Sequence, residues 1–301
     1  MKEPSAGTDV LGLDASHASS YENPFFQGNN VVDQAFWRSS TGGANYSVSR
    51  LLQGSYLQAQ DQSAAGSTSQ AVFDYMNGFY DIGSGSASGY YAAMFTRYPK
   101  VFDTVVYTGT GSNTTHAHNL GVVPEMMIIK QTSNADYGWF VYESNGGKDK
   151  YMYLNGVDQQ NTSSNIFGNT PTATTIVANP TNNYINASGE THLALLFASL
   201  TGISKVGTYT GTGNDLNVTG LGAAARWVMI KRTDSSGDWY VFDTLRGIVA
   251  GNDDYFLMNT TGADVTNTDY IDPHSSGFTV TSSAPDALNA SGGTYLYLAF
   301  A

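Results

Sequence analysis

Two histidines one residue apart, His116 and His118 in the string THAHN, are the first side chains in this sequence with the makings of a site. On an extended strand, residues i and i+2 share a face, so two imidazoles there could hold one cation. The other reading is a polar turn. It is favoured because no carboxylate cluster accompanies the pair, and because a second copy of the segment (below) carries Asn217 and Thr219 in these places. No metal and no cofactor are therefore expected, with His116 and His118 kept as the metal candidates. Two acidic runs, Asp234 to Asp238 and Asn252 to Asp254, are oxygen-rich enough for calcium but lack EF-hand spacing; ordinary solvated turns use the same residues.

Nucleophile chemistry finds little purchase. There is no cysteine and no G-x-S-x-G elbow. The string GTGSNTT after Tyr107 resembles a phosphate loop in its glycines alone, without the Gly-Lys-Ser/Thr ending. No pair of acids is marked out for glycoside hydrolysis. The expectation is a protein that is not an enzyme. Aromatic side chains offer a different chemistry. Tyr46, Tyr75, Tyr80, Tyr137 and Tyr184 fall in or beside loop-like segments, where a ring can stack on a sugar and neighbouring Asn and Ser can bond its hydroxyls. The alternative is that these rings pack between modules or subunits.

The elements that must position these residues are strands. Of 301 residues only 13% are charged; 33 are Gly and 20 are Tyr. Branched and ring side chains suit a half-buried pleated surface, and Gly and Asn suit turns. The net charge of −12 disfavours binding to nucleic acid, which needs a basic face, and docking on anionic membrane. The first twenty residues hold no apolar stretch long enough for a signal peptide, and no apolar run is long enough to span a bilayer.

The chain repeats itself at an offset of about 100 residues. YTGTG occurs at Tyr107 and again at Tyr209; MMIIK ending at Lys130 returns as WVMIK ending at Lys231. GWFVYES around Trp139 returns as DWYVFDT around Trp239, and NASG at Asn186 returns at Asn289. Each copy closes on an apolar strand, His192 to Ala198 and Tyr295 to Ala301. A diverged first copy is marked by DQAFWR at Asp33, SYLQ at Ser55, Gly78-Phe79 and SGYYAAMF at Ser88, with Phe26-Gln27-Gly28 as a shortened remnant of the YTGTG opening. Short strands divided by turn signals predict an all-β chain of tandem antiparallel β-sandwich modules. The divisions are 1–25 as an N-terminal arm or anchor, 26–100 as the diverged module, 101–202 and 203–301 as the clear ones. In the closing strand of copy two, alternation puts His192, Ala194 and Leu196 on one face and Leu193, Leu195 and Phe197 on the other.

The segment from Phe102 to Ser144 resembles the repeated module of bacteriophage tail-fibre and other virion-surface proteins of marine and cyanobacterial phages. That pattern is an aromatic-Thr-Gly strand, a His-Asn-Leu-Gly-x-x-Pro turn, an apolar run ending in Lys, and a Trp strand. His118-Asn119-Leu120-Gly121 and Pro124 match it in copy two, whereas copy three has Thr219-Gly220-Leu221-Gly222 and Ala225. The resemblance covers about residues 30–301 and implies a structural virion protein of the tail-fibre type that attaches to the host surface. A capsid decoration or head-fibre protein is the alternative, and a carbohydrate-binding or depolymerising tail spike the second. It further implies a homotrimer, docking to other virion proteins through the N-terminal arm, contact with a host-surface glycan, and location on the virion after synthesis in the host cytoplasm. It brings no catalytic residues.

Overall fold

The computed structural model describes residues 3–15, 24–52, 55–66, 72–73, 75–79, 89–133, 137–178 and 183–301. The protein is almost entirely antiparallel β-structure, as its composition predicts. In copy two the main sheet runs Phe102–Thr108, Thr191–Phe197, Met126–Gln131, Phe140–Glu143, Lys150–Tyr153 and a short edge at Asn161–Thr162. Copy three repeats that order with Ser204–Thr210, Thr294–Phe300, Trp227–Arg232, Trp239–Asp243 and Tyr255–Leu257. Copy one repeats it again with Leu11–Ala15, Tyr90–Phe95, Gln34–Ser39, Tyr46–Ser49 and Tyr56–Gln58. A small second sheet covers each main sheet: Phe26–Gln27 with Gly78–Phe79, Thr114–Ala117 with Thr175–Ala178, and Leu216–Thr219 with Gly277–Val280 and Ile271–His274. Among the described residues no helix is long and apolar enough to cross a membrane.

Two corrections concern copy one. Within the span 1–25, residues 7–15 do not stand apart as an arm. Leu11–Ala15 pairs with the closing strand through Leu11↔Phe95 and is the opening strand of this copy, and Val10 and Leu11 are fully buried. Its sequence, LGLDA, lacks the Tyr-Thr-Gly signature, which hid it. Phe26-Gln27 is consequently no remnant of YTGTG: it pairs with Gly78-Phe79, as Thr219 pairs with Gly277 in copy three.

The three main sheets do not form separate beads. The face carrying Leu193, Leu195 and Phe197 enters one central cluster, together with Phe95 and Ala93 of copy one and Phe300, Leu298 and Leu296 of copy three. The opposite face, with Ala194 and Leu196, lies in a core private to copy two. Strands covered on both faces read as continuous apolar runs, which is the pattern of MMIIK and HLALLF. Equivalent register positions meet at the middle of the molecule. Phe95, Phe197 and Phe300 each end a closing strand, and their rings lie 6.0, 5.5 and 6.3 Å apart pairwise. One chain thus builds an approximate threefold arrangement.

The seams between copies follow the same rotation. Trp139 Nε1 donates to the Gln58 carbonyl of copy one at 2.9 Å, and Trp239 Nε1 donates to the Tyr153 carbonyl of copy two at 2.9 Å. Gln58, Tyr153 and Leu257 hold the same register position in their sheets. The ring closes where Asn45, standing at the tryptophan position, donates to the carbonyls of Leu257, Met258 and Thr260. The charge ending each apolar run does the same. Lys130 Nζ reaches the Gln62 carbonyl, Lys231 Nζ the Val157 carbonyl, and Arg38 Nη2 the Gly262 carbonyl. All three cations are buried, and burial holds the lysines down to about 8 and Arg38 down to about 10. Around one small cavity with Asn45 lie Arg38 and Arg246, both over the Phe256 ring at 4.7 Å, with Asp264 2.7 Å from Arg246. The apolar sheet faces are therefore covered within one chain, which removes the need for two further copies to cover them.

Candidate functional site

The repeated motifs resolve first into scaffold. In YTGTG, the glycine after the first Thr packs on the Asn-Ala-Ser-Gly turn. A Cβ on Gly109 would lie 2.2 Å from the Ala187 carbonyl oxygen, and one on Gly211 2.4 Å from that of Ala290. The turn's Asn latches the pair. Asn186 Oδ1 accepts from the Thr110 amide and its Nδ2 donates to the Ser112 carbonyl; Asn289 does the same to Thr212 and Asn214. The Tyr hydroxyls donate to the carbonyls of Ile185 and Leu288. The amides of Thr110 and Gly111 are thus committed to Asn186, and that of Gly109 to the Glu190 carbonyl.

His116 and His118 are engaged with different partners. His116 stacks on Tyr107 at 4.0 Å. His118 lies beyond the strand end, is buried, contacts the Thr172 carbonyl through Nε2 and accepts the Leu120 amide at Nδ1. Burial lowers the pKa of both rings. Among the described residues no cluster of three or more His, Asp or Glu side chains could hold a metal. The acidic turns are likewise occupied. Asp234 pairs with Arg232 at 3.0 Å, and Asp253 is buried and accepts the amides of Val249, Tyr270 and Ile271.

The five tyrosines separate. Tyr46 is a strand residue, half-buried and stacked on Trp37 at 4.3 Å, so it belongs to the core of copy one rather than to a loop. Tyr75 is exposed in copy one, and its carbonyl accepts from Arg50. Tyr80 lies outside the described residues. Tyr137 and Tyr184, remote in sequence, come together with ring centroids 4.9 Å apart in an edge-on contact. Tyr184 also lies on Phe140 at 5.2 Å and 22°. Phe140 in turn meets Tyr153 at 5.0 Å, which meets Tyr151 at 5.4 Å. The result is a continuous aromatic surface at the outer end of copy two.

That surface walls an open cleft of about 500 Å³, whose polar lining includes Asn155, Asp158 and Gln62, the last contributed by copy one. A second cleft of about 300 Å³ adjoins it, with Asn183, Ser188 and Glu190 in its lining, and Tyr137 lines both. Local sequence shapes this place. Gly138 leaves the room Tyr153 and Asn155 need: a Cβ there would lie 2.6 Å from Asn155 Oδ1 and 3.1 Å from the Tyr153 ring. Asn155 is anchored, since its Oδ1 accepts the Trp139 amide.

Copy three keeps rings under this surface, Tyr240 against Tyr255 at 5.0 Å, but lacks the pair that walls the cleft. Aligning Trp139 with Trp239 and Asn186 with Asn289 sets Gly237 against Tyr137 and Ala287 against Tyr184. The two small residues approach each other: a Cβ on Gly237 would lie 3.8 Å from that of Ala287. Asn259, the counterpart of Asn155, gives its Nδ2 to Asp238, where copy two has Gly138. The copies share the latch, the indole and the buried lysine, and differ in this cleft. Sequence reasoning selected Tyr137 and Tyr184 but missed Phe140, Tyr153, Asn155 and Gln62. The copy-to-copy differences at positions 137, 138 and 184 were the signal that could have found the place.

No curated protein matches the chain. Residues 83–301 match the family described as a domain of unknown function, DUF7483, a span that takes in copies two and three and the closing strand of copy one. The match covers more than half of the chain, and the protein belongs to the DUF7483 family.

Proposed function

We propose that this is a non-enzymatic surface protein of a virion, of the tail-fibre type, that attaches the particle to its host through the outer end of copy two. The observation that carries the reading is the asymmetry between copies. One scaffold is used three times, the parts in common serve packing, and the ring pair Tyr137–Tyr184 that walls an open cleft in copy two is replaced by Gly237 and Ala287 in copy three. A recognition surface on loops held by a rigid β-scaffold is a recurrent arrangement. Stability then resides in the shared core, and the outer loops can diverge without disturbing it.

The assembly side of the proposal changes with the fold. Docking to other virion proteins through the N-terminal segment would use a helix, residues 7–10, and an edge strand, residues 11–15, that are already part of the first module. A homotrimer, if the particle holds one, associates outer surfaces of bodies that are already closed. Antibody labelling of particles tests the reading together with adsorption assays. Labelling of the tail and blocked adsorption are expected. Labelling confined to the capsid would turn the proposal into its decoration-protein form, and no labelling of particles would end it.

A further inference from the structure

We infer that the paired clefts of copy two bind a neutral oligosaccharide of more than one ring, stacked on Tyr137 and Tyr184. The inference rests on the attachment reading for its biological setting, and on geometry for its chemistry. A pyranose presents a C–H face that suits an aromatic wall and a rim of hydroxyls that needs both donors and acceptors. Tyr184 is 37% exposed and Tyr137 half-buried, so each ring offers area while its underside is packed. Gln62 and Asn155 bring amide groups to the first cleft, and the Asn155 side chain is held in place by the Trp139 amide. Such a few fixed polar groups beside aromatic walls are what orient a small ligand.

Charge selects among sugars. Among the described residues Asp158 lines the first cleft and Glu190 the second, and no lysine or arginine lines either. The chain as a whole carries −12. A sialylated or uronic-acid chain would bring its carboxylates against these acids, which selects against anionic chains. Length follows from Tyr137, which belongs to both clefts: a ligand stacked on it extends into the Asp158 side and the Glu190 side. Copy three supplies the internal contrast, since Gly237, Ala287 and Asp238 remove the two rings and occupy the amide.

The test is a glycan array of neutral and acidic bacterial oligosaccharides probed with the full chain, followed by calorimetric titration of the best neutral compound. Binding confined to neutral glycans longer than one ring is expected. Replacing the pair with its copy-three counterparts, Tyr137→Gly with Tyr184→Ala, should weaken binding at least tenfold, and Tyr75→Ala should leave it unchanged. Circular dichroism and a melting curve establish that each variant is folded. A preference for acidic glycans, an absence of neutral binding, or full binding by the double variant would overturn the inference. Adsorption separates the two readings. If the chain adheres to host cells and the double variant adheres equally, attachment stands and the glycan cleft falls. If neutral glycans bind through the pair but neither cells nor particles carry the protein, the cleft stands and the virion reading falls.

Discussion

In copy three the ring of Tyr209 lies on Tyr295 at 4.8 Å and 14°, while in copy two Tyr107 stacks on His192 at 5.0 Å and 9° and on His116 at 4.0 Å. Both pairs join the opening strand to the closing strand at one register position, His192↔Tyr107 and Tyr209↔Tyr295. In copy three the second ring carries a hydroxyl that donates to the Asp286 carbonyl and accepts the Ala290 amide. In copy two it is an imidazole whose Nδ1 meets the Glu190 carbonyl. The difference teaches that register and ring stacking are what duplication preserved. Ionisation was left to vary, and copy two holds both a buried imidazole in this stack and the aromatic cleft.

The largest expected effect removes what the two copies share. Trp139 and Trp239 are fully buried in the central cluster, and each bonds a neighbouring copy. Trp239→Ala and Trp139→Ala should each cost about 3–5 kcal/mol in denaturant unfolding. Losses below about 1 kcal/mol in either would show that the seams contribute little, and that the copies stand independently.

Acid should then separate the copies. Burial holds His192 down to about 4, below the ordinary imidazole value near 6.5. Between those values the unfolded chain binds the proton and the folded one does not. Stability from this group is therefore complete above about pH 6.5 and declines as the pH falls toward 4, by on the order of 3 kcal/mol. His192→Tyr, which installs the ring of copy three, should flatten that part of the stability–pH curve. An unchanged acid slope in the variant would place the titration elsewhere.

Smaller is the latch. Asn186→Ala and Asn289→Ala each strip a buried amide from backbone groups of the Thr-Gly turn, at about 1–3 kcal/mol. Thermal melts of both variants should fall, Asn289→Ala the further, because its Nδ2 also donates to the Thr281 carbonyl; a fall in one alone would show that the other turn holds without its asparagine.

Much of this was legible in the residues. The latch, the indoles and the buried lysines lie behind motifs repeated about 100 residues apart, because each is tied to backbone geometry that admits few substitutes. Alternation in the closing strand separated correctly the faces that enter two different cores. What sequence reasoning missed was whatever depends on long-range closure. The central triangle of Phe95, Phe197 and Phe300 has no local signature. Copy one was obscured because its opening strand carries no Thr-Gly turn and its tryptophan position is Asn45, with Arg38 nearby in sequence but Arg246 and Asp264 more than 200 residues away. Tyr46 misled because a lone Tyr beside Gly and Asn reads as a loop, although cross-strand stacking on Trp37 makes it core.

The smallest expected effect is the one that decides between packing and recognition at the cleft. If Tyr137 and Tyr184 are structural, their replacement by the Gly and Ala of copy three should destabilise as buried rings do, by about 3–5 kcal/mol. The geometry predicts less. Tyr184 is 37% exposed, the contact between the two rings is edge-on, and its stacking on Phe140 is a single aromatic pair of the kind that contributes about 0.5–1.5 kcal/mol. Phe140 also packs against Tyr153 at 5.0 Å and Tyr151 at 5.8 Å, contacts the double variant keeps. The double variant should therefore lose no more than about 1.5 kcal/mol in denaturant unfolding while losing its ligand. A loss of 3 kcal/mol or more would make the aromatic surface part of the fold of copy two, and its absence from copy three a difference in packing alone.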